Sequence, residues 1–444
     1  MQQTGLERIN IGSQIYINFV ESDKFKQNYI VVNIAGRLED GLKAAKTSVL
    51  DKVLRRGSRN YPTMAEINKR LGYLYASSVN LWSFKYGEAQ ILAANAQMLD
   101  NKYALDETNI LDETIGVLAD ILMNPLIKDD SFDENYVETE KTNAVNEILS
   151  QINDKSWYAY KKCVEHMCRG ERFAIDIKGE VEDVAKINGK NLYEYYRYIL
   201  ENCAIEIFCI GRLSNKKDYI TDKFRDLFKN IKRAEKTEDY STDVILKAVN
   251  KGEITEEMEV NQGKLVIGFR TGITNKDEDF ASLVVFNSLY GSGITSKLFE
   301  NVREKLSLCY YCNSGIDGVK GIMTVSCGVE VENKQKALDE IFKQLEDVKS
   351  GNFTAQEIEN AKLGVINGYK KVYDNFGSIA YWYFNRLLQG EIKTPEQVIE
   401  EIEKIGRGEI INAANKLTLD TVYFLKGTIL NNPDILNNPE SGGE

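Results

Sequence analysis

The second half of this chain repeats the first half, and the repeat restricts the folds that the chain can adopt. Residues 111–120 share Leu, Asp and Glu positions with residues 338–347, 227 positions later. Two predicted helix caps, Ser131 with Glu134 and Thr354 with Glu357, follow at an offset of 223. A third match joins residues 138–146 to residues 359–367 at an offset of 221. Three matches in the same order indicate a duplicated domain of roughly 220 residues.

The predicted fold class is α+β, with two tandem duplicated domains that each consist of a mainly antiparallel sheet covered by helices. A chain of 444 residues is also too long for a single hydrophobic core. We expect an N-terminal domain over 1–231, a charged linker over 232–254 and a C-terminal domain over 255–430. Residues 431–444 are rich in Asn, Pro and Gly, which is typical of a disordered tail.

The composition excludes several classes of function. There are 67 acidic and 56 basic side chains, and the net charge of −11 argues against general nucleic-acid binding. No apolar run approaches the ~18 residues of a membrane span. The seven cysteines are an odd number and too few for a disulfide scaffold, and no secretory signal is visible. These features favour a cytoplasmic protein with reduced thiols.

The stretch from 290 to 311 contains the most specific candidate site. A turn with Gly291 and Gly293 leads into a predicted amphipathic helix, whose apolar face begins at Ile294, and then into a strand. Arg303 and Tyr310 lie seven residues apart across the helix-to-strand turn. A guanidinium and a phenol placed in this way can bind the same ligand. Taken alone, however, Arg303 also fits a solvated helix end.

The cysteines and the histidine do not form a convincing motif. Cys309 and Cys312 have C-x-x-C spacing, but they lie in a strand-like run rather than at a helix start, so a redox role is not favoured. Cys163 and Cys168 flank His166 without a second pair that would complete a zinc knuckle. Structural burial is the favoured interpretation for all of them.

From about residue 10 to residue 425, the chain resembles the pitrilysin/insulinase-type inverzincin metallopeptidases, and it is most similar to their two-subunit, processing-peptidase-type members. The resemblance is most specific between 296 and 310, where the family carries an Arg and, seven residues later, a Tyr. It implies that Arg303 and Tyr310 bind the substrate backbone and the tetrahedral intermediate. It also implies that Gly291 and Gly293 form the glycine-rich turn beside them.

The first half departs from this family at the metal site. The family binds zinc with H-x-x-E-H and a distal Glu. The corresponding positions here are Ser48, Asp51 and Lys52, so both histidine ligands are lost and Lys52 introduces a cation. The chain contains one histidine, His166, and therefore no alignment can supply two. Glu147 fits either the distal ligand position or an ordinary helix carboxylate.

The resemblance implies a zinc-less partner subunit of a heterodimeric peptidase. In this hypothesis, a homologous subunit with H-x-x-E-H holds the zinc and the substrate is a peptide. The alternative is a scaffold or peptide-binding protein that keeps the fold without proteolysis. A third hypothesis, a homodimer with another metal at Asp51 and Glu147, is opposed by Lys52. The chain is also similar to the histidine-poor member of paired genes in Gram-positive bacteria, a group linked to modification of elongation factor P.

Overall fold

The computed structural model describes residues 5–248, 252–260 and 262–428. It confirms the predicted α+β class, because two large, mainly antiparallel sheets are covered by helices. The predicted tail, 431–444, lies outside the described residues. Within the described ranges, no helix is both long enough and apolar enough to cross a membrane.

The strands form two large sheets and one short hairpin. The first large sheet and the hairpin are made by the first eight strands: β1 (Leu6–Gly12), β2 (Ile15–Glu21), β3 (Gln27–Arg37), β4 (Ser78–Tyr86), β5 (Ala89–Leu99), β6 (Ile127–Lys128), β7 (Ser131–Phe132) and β8 (Ala204–Gly211). The second sheet contains β9 (Gly252–Met258), β10 (Gly263–Arg270), β11 (Cys309–Asp317), β12 (Ile322–Val329) and β13 (Thr418–Gly427).

The two large sheets share one topology. The first has the order β1-β2-β8-β3-β5-β4, and the second, taken from its other edge, has the order β9-β13-β10-β12-β11. Each sheet contains one parallel pair of strands, which is β2 with β8 in the first sheet and β9 with β13 in the second. All other neighbouring strands in the two sheets are antiparallel. Apart from the additional edge strand β1, the strands correspond one to one. This correspondence confirms the duplication that the sequence predicts.

Helices cover both sheets. They are α1 (Gly41–Leu54), α2 (Met64–Tyr73), α3 (Ile110–Met123), α4 (Glu134–Ser150), α5 (Lys155–Met167), α6 (Val181–Ala185), α7 (Gly189–Asn202), α8 (Lys217–Phe228), α9 (Phe280–Asn287), α10 (Lys334–Lys349), α11 (Ala355–Lys370), α12 (Phe376–Gln389), α13 (Pro395–Lys404) and α14 (Arg407–Lys416). Two π-helical turns, Ser288–Ser292 and Phe299–Lys305, follow α9.

The chain divides into two compact units, and both are discontinuous in sequence. The first unit is built from the residues up to Ser150, from Cys168–Val244 and from Ile366–Glu403. The second is built from Gln151–Met167, from Ile245–Val365 and from the described residues that follow Glu403. These units differ from the continuous domains expected at 1–231 and 255–430. The difference arises because α12 belongs to the first unit and α5 to the second.

In the first unit, α12 explains why β3 is apolar on both faces. Ile30 and Val32 point into the main core of the unit, whereas Val31 on the same strand belongs to a second buried cluster. That second cluster includes Tyr383 and Phe384 of α12. A strand with both faces covered shows a continuous apolar run instead of strict alternation.

In the second unit, α5 packs on the sheet through a small buried cluster of residues from the helix and from β10 and β13: Ala159, Cys163, Val266, Tyr423 and Leu425. Arg270 fixes the end of this helix. Its Nη2 donates to the carbonyl of Met167 at 2.6 Å, and its Nε donates to Oδ2 of Asp420 at 3.0 Å. The buried Arg270–Asp420 pair therefore satisfies a carbonyl group at the last turn of α5.

One of the two predicted helix caps in the repeat is confirmed and the other is wrong. The Glu357 amide donates to Oγ1 of Thr354 at 3.2 Å, and the Thr354 amide donates to Oε2 of Glu357 at 2.7 Å. At the equivalent place in the first half, Ser131 instead lies in β7, where it pairs with β6. Asp133 caps α4 in its place and accepts from the amide of Asn135 at 2.9 Å.

Part of the segment predicted as a linker, 232–254, is packed in the first unit. Glu238 accepts a hydrogen bond from the amide of Arg37 at 3.0 Å and forms an ion pair with Lys43 at 2.9 Å. The segment contains no regular strand over 232–248. Its last residues, from Gly252, form the start of β9, an edge strand of the second sheet.

Candidate functional site

Helix α1 carries Ser48, Asp51 and Lys52, which were predicted to lie at the positions of the zinc motif. Asp40 begins the helix, because its Oδ1 accepts from the amide of Lys43 at 2.8 Å. Ser48 and Lys52 are four residues apart and therefore lie on the same face of the helix. The Lys52 ammonium also donates to the carbonyl of Ser48 at 3.1 Å.

The structure brings Asp51, Lys52 and Glu147 together. Lys52 Nζ lies 3.4 Å from Oε2 of Glu147 on α4 and 3.8 Å from Oδ1 of Asp51. A second ammonium, that of Lys178, lies 3.0 Å from the same Oε2 of Glu147. Two lysines therefore neutralise the Glu147 carboxylate.

The environment shifts the pKa values of the two carboxyl groups in opposite directions. Burial raises the pKa of Asp51 to about 6, although the charge of Lys52 and a hydrogen bond with Ser83 act against this rise. Burial also acts to raise the pKa of Glu147, but the hydrogen bond and charge of Lys178 and the charge of Lys52 outweigh it. The pKa of Glu147 therefore lies below its usual value.

These residues do not fit a zinc ion. Zinc requires lone-pair donors from His, Cys or carboxylate side chains, whereas the ammonium of Lys52 has no lone pair and lies between the two carboxylates. Two helical turns before Glu147, Glu140 is buried and forms an ion pair with Arg56, just after α1, that helps to hold α4 against α1. Glu140 was not predicted as a site residue; the sequence signal for it is a carboxylate seven residues before the candidate ligand.

In the second unit, Arg303 lies on the π-helical turn Phe299–Lys305 and its side chain is 43% exposed. Its guanidinium stands over the ring of Phe299, 4.7 Å from the ring centroid, and its Nε lies 3.3 Å from Oε1 of Glu304. The predicted amphipathic helix is shorter than expected. Ile294, placed on its apolar face by the sequence pattern, is 82% exposed because it precedes the helical turn.

Arg303 lines a cleft of about 570 Å³ on the second unit. The cleft is bounded by the π-helical turn, by β11 and β12 and by the start of α5, and its aromatic lining residues are Trp157, Tyr160, Phe299 and Tyr311. Trp157 and Tyr160 stack with ring centroids 5.3 Å apart. This pair was not predicted from the sequence, although a Trp and a Tyr three residues apart on a helix are neighbours.

Tyr310 and Tyr311 lie in different surroundings. Tyr310 is 72% exposed and is not among the residues that line the cleft with Arg303. Tyr311 lines the cleft, and its hydroxyl lies 3.1 Å from Oγ of Ser156. Burial raises the pKa of Tyr311. A joint role of Arg303 and Tyr310 toward one ligand stays a prediction.

The two glycines of the turn have different environments. Gly291 is buried, and a Cβ atom at this position would lie 2.4 Å from Oγ of Ser314 and 2.8 Å from Cδ1 of Leu298. At Gly293, the nearest atom to such a Cβ would be the Ser288 carbonyl oxygen at 3.1 Å. Close packing therefore accounts for Gly291 without a ligand, and substrate binding by either glycine stays a prediction.

Comparisons with known proteins agree with this fold. Residues 186–365 match the family described as "Peptidase M16 inactive domain". The chain is 33% identical over 417 residues to the "Probable inactive metalloprotease YmfF" of Bacillus subtilis (strain 168), covering 93% of this chain and 95% of that protein. It is 24% identical over 322 residues to the "Uncharacterized zinc protease YmxG" of the same organism, covering 71% of this chain and 76% of that protein.

Among solved structures, a conserved protein from Enterococcus faecalis V583 aligns with a TM-score of 0.88 and 27% identity, over 96% of this chain and all of that one. A peptidase M16 inactive domain from Pseudomonas fluorescens has the same fold, with a TM-score of 0.76 and 13% identity, over 96% of this chain and 98% of that one. The chain belongs to the peptidase M16 family. It is an inactive, peptidase-like member, which confirms the resemblance to the pitrilysin/insulinase group.

Proposed function

We propose that this chain is the zinc-less subunit of a two-subunit peptidase. In this proposal, it binds a homologous subunit that carries H-x-x-E-H and presents Arg303 and Tyr310 to the zinc site of that partner. The substrate is a peptide. The observation that carries the proposal is the position of the Lys52 ammonium between Asp51 and Glu147, combined with an exposed Arg303 at an aromatic cleft.

The two exposed side chains suit the electrostatic part of peptide hydrolysis. A planar guanidinium can donate two parallel hydrogen bonds to a peptide carbonyl or to the oxyanion that forms from it. A phenol can donate one more. The zinc of the partner would supply the activated water. Because Arg303 is held over Phe299, less side-chain freedom is lost when it binds substrate.

The test is to co-express the chain with a homologue that carries H-x-x-E-H and to assay cleavage of unstructured peptides. Arg303→Ala and Tyr310→Phe should each lower kcat/KM of the pair by roughly 100-fold, as for the loss of one oxyanion donor. Assembly, measured by size-exclusion chromatography, should not change. Cleavage by the isolated chain together with stoichiometric zinc at the first unit would refute the proposal.

Matched control variants separate a specific role from a general effect on the surface. Lys305→Ala removes a cation from the same π-helical turn as Arg303. Tyr73→Phe removes a hydroxyl from a tyrosine that is 70% exposed, close to the 72% of Tyr310. Both controls should keep wild-type kcat/KM. A similar fall in the controls would show that the effect of the Arg303 and Tyr310 variants is not specific.

The second candidate is a peptide-binding protein without a proteolytic partner, which the aromatic lining of the cleft favours. Rings with an apolar body and a polar edge bind extended peptides without any catalytic group. In this case, the isolated chain should bind peptides, and Trp157→Ala should weaken this binding. Arg303→Ala and Tyr310→Phe should then leave the cleavage rates of any co-expressed homologue unchanged.

The remaining hypotheses about partners have separate tests. Light scattering of the purified chain would distinguish a homodimer from a monomer. A homodimer with another metal at Asp51 and Glu147 is disfavoured, because Lys52 lies within 4 Å of both carboxylates. The similarity to the group linked to elongation factor P suggests that factor or its modifying enzymes as candidates for co-purification.

A further inference from the structure

Three cysteines converge at the edge of the second sheet. Cys312 on β11 and Cys327 on β12 are direct partners in the antiparallel register. Cys309, at the start of β11, pairs with Val329. The sulfur atoms of the three side chains all lie within 4.8 Å of one another.

A β-bulge creates this cluster. Residues three apart on a regular strand point to opposite faces, so Cys309 and Cys312 would normally be separated by the sheet. The register shifts between Cys309 and Tyr311, which makes Tyr310 an extra residue in the strand. Cys309 therefore lies opposite Val329, two residues from Cys327, and all three thiols share one face.

The cluster combines buried and accessible groups. Cys312 and Cys327 are 4% and 0% exposed, whereas Cys309 is partly exposed at the strand end. The π-helical turn that carries Arg303 packs against β11, and the positive charge of Arg303 acts on the thiol of Cys309. A cation that enters from the side of Cys309 would thus meet one accessible sulfur and two buried sulfurs.

We propose that Cys309, Cys312 and Cys327 form a zinc site with three thiolate ligands and one open position. Zinc–sulfur bonds of about 2.3 Å in a tetrahedral site place the sulfur atoms about 3.8 Å apart. Since the sulfur atoms already lie within 4.8 Å of one another, each pair needs to approach by about 1 Å at most. The thiols lose their protons to solvent when the metal binds.

The charge balance also suits this ion. Three thiolates and Zn²⁺ give a net charge of −1, and Arg303 provides a neighbouring positive charge. The open position faces the exposed side of Cys309, where a water molecule can complete the tetrahedron. Because two ligands lie on β11 and one on β12, the ion would hold the bulge that exposes Tyr310. The proposal of metal binding does not depend on whether Arg303 and Tyr310 act in peptide cleavage.

The test uses the full chain, reduced and freed of metal with a chelator. Co²⁺ serves as the first probe, because thiolate ligands give it an intense charge-transfer absorption and tetrahedral geometry gives it strong visible bands. We expect one equivalent of Co²⁺ to bind with both signals and to be displaced by one equivalent of Zn²⁺. Cys309→Ser should weaken binding by at least ~100-fold.

The control is Cys209→Ala, which removes a buried thiol from the first unit and should keep full binding. Circular dichroism checks the fold of each variant. Because Cys309 is partly exposed, its substitution by Ser should change the stability of the fold little. Binding that is equal in the wild type and in Cys309→Ser would overturn the proposal. So would the absence of any thiolate signal in the reduced wild type, or ready formation of a Cys312–Cys327 disulfide that zinc does not slow.

Discussion

Asp51→Asn should stabilise the folded chain at neutral and alkaline pH. Burial raises the pKa of Asp51 from its ordinary value of 3.8 to about 6. This difference in the pKa of Asp51 between the unfolded and folded states means that the ionised carboxylate destabilises the folded chain by roughly 3 kcal/mol. The attraction of Lys52 is already included, because its charge lowers the pKa of Asp51 against the effect of burial. An amide of nearly the same shape removes the cost of the buried charge.

The direction of the pH dependence of stability follows from proton binding. Because the pKa of Asp51 is higher in the folded state, the folded chain binds this proton more tightly than the unfolded chain does. The stability due to this proton is fully present below about pH 4 and is lost as the pH rises through about 6. The gain from Asp51→Asn should therefore be near zero below pH 4, about 1.5 kcal/mol at pH 5 and about 3 kcal/mol at pH 8.

Urea denaturation at pH 5 and at pH 8, followed by tryptophan fluorescence, measures the free energy of unfolding of both proteins. Asp226→Asn is the matched control, since it makes the same substitution of an amide for a carboxyl group at a side chain that is 73% exposed. The control should change stability by less than about 0.5 kcal/mol at either pH. If the gain from Asp51→Asn does not increase between pH 5 and pH 8, the carboxylate is not destabilised by burial and the reasoning fails.

Two further predictions concern the altered metal site and the glycine turn. Ser48→His combined with Lys52→His should bind one Zn²⁺ more than the wild type in a colorimetric titration, with affinity at least ~100-fold above that of the wild-type position. Adding Glu147→Ala should remove most of this gain, and a gain that survives would show that the distal carboxylate is assigned wrongly. Gly291→Ala should destabilise the chain by about 1–3 kcal/mol in thermal denaturation, because its Cβ would overlap two packed side chains. Gly293→Ala should cost less than half as much, and equal costs would contradict the packing argument.

The fold class and the duplication were predictable from the sequence, because repeated helix and strand patterns survive in both halves. The composition of the compact units was not predictable. The segment with α12 lies within the second half of the sequence, yet it covers the sheet of the first unit, and α5 lies within the first half, yet it belongs to the second unit. Hydrophobic periodicity reports that a face is buried, but it does not report which sheet buries it.

The candidate site was predictable in part. The alignment placed Ser48, Asp51 and Lys52 near Glu147, and the structure brings these side chains together. The neutralisation of Glu147 by Lys178 was not predictable, because it joins positions 31 residues apart in sequence. The aromatic cleft around Arg303 was missed for the same reason, since α5 supplies Trp157 and Tyr160 from a distant part of the chain.

The residue content alone shows that this chain cannot hold zinc as active members of its family do. One histidine in 444 residues cannot supply two ligands in any fold. Tertiary structure decided what replaces the metal and what else the chain can bind. Lys52 reaches Glu147 only because α1 packs against α4, and three cysteines share one face only because a bulge at Tyr310 shifts the register of β11. Such contacts depend on long-range packing and on a local break in strand alternation, and neither leaves a signal in the residue pattern.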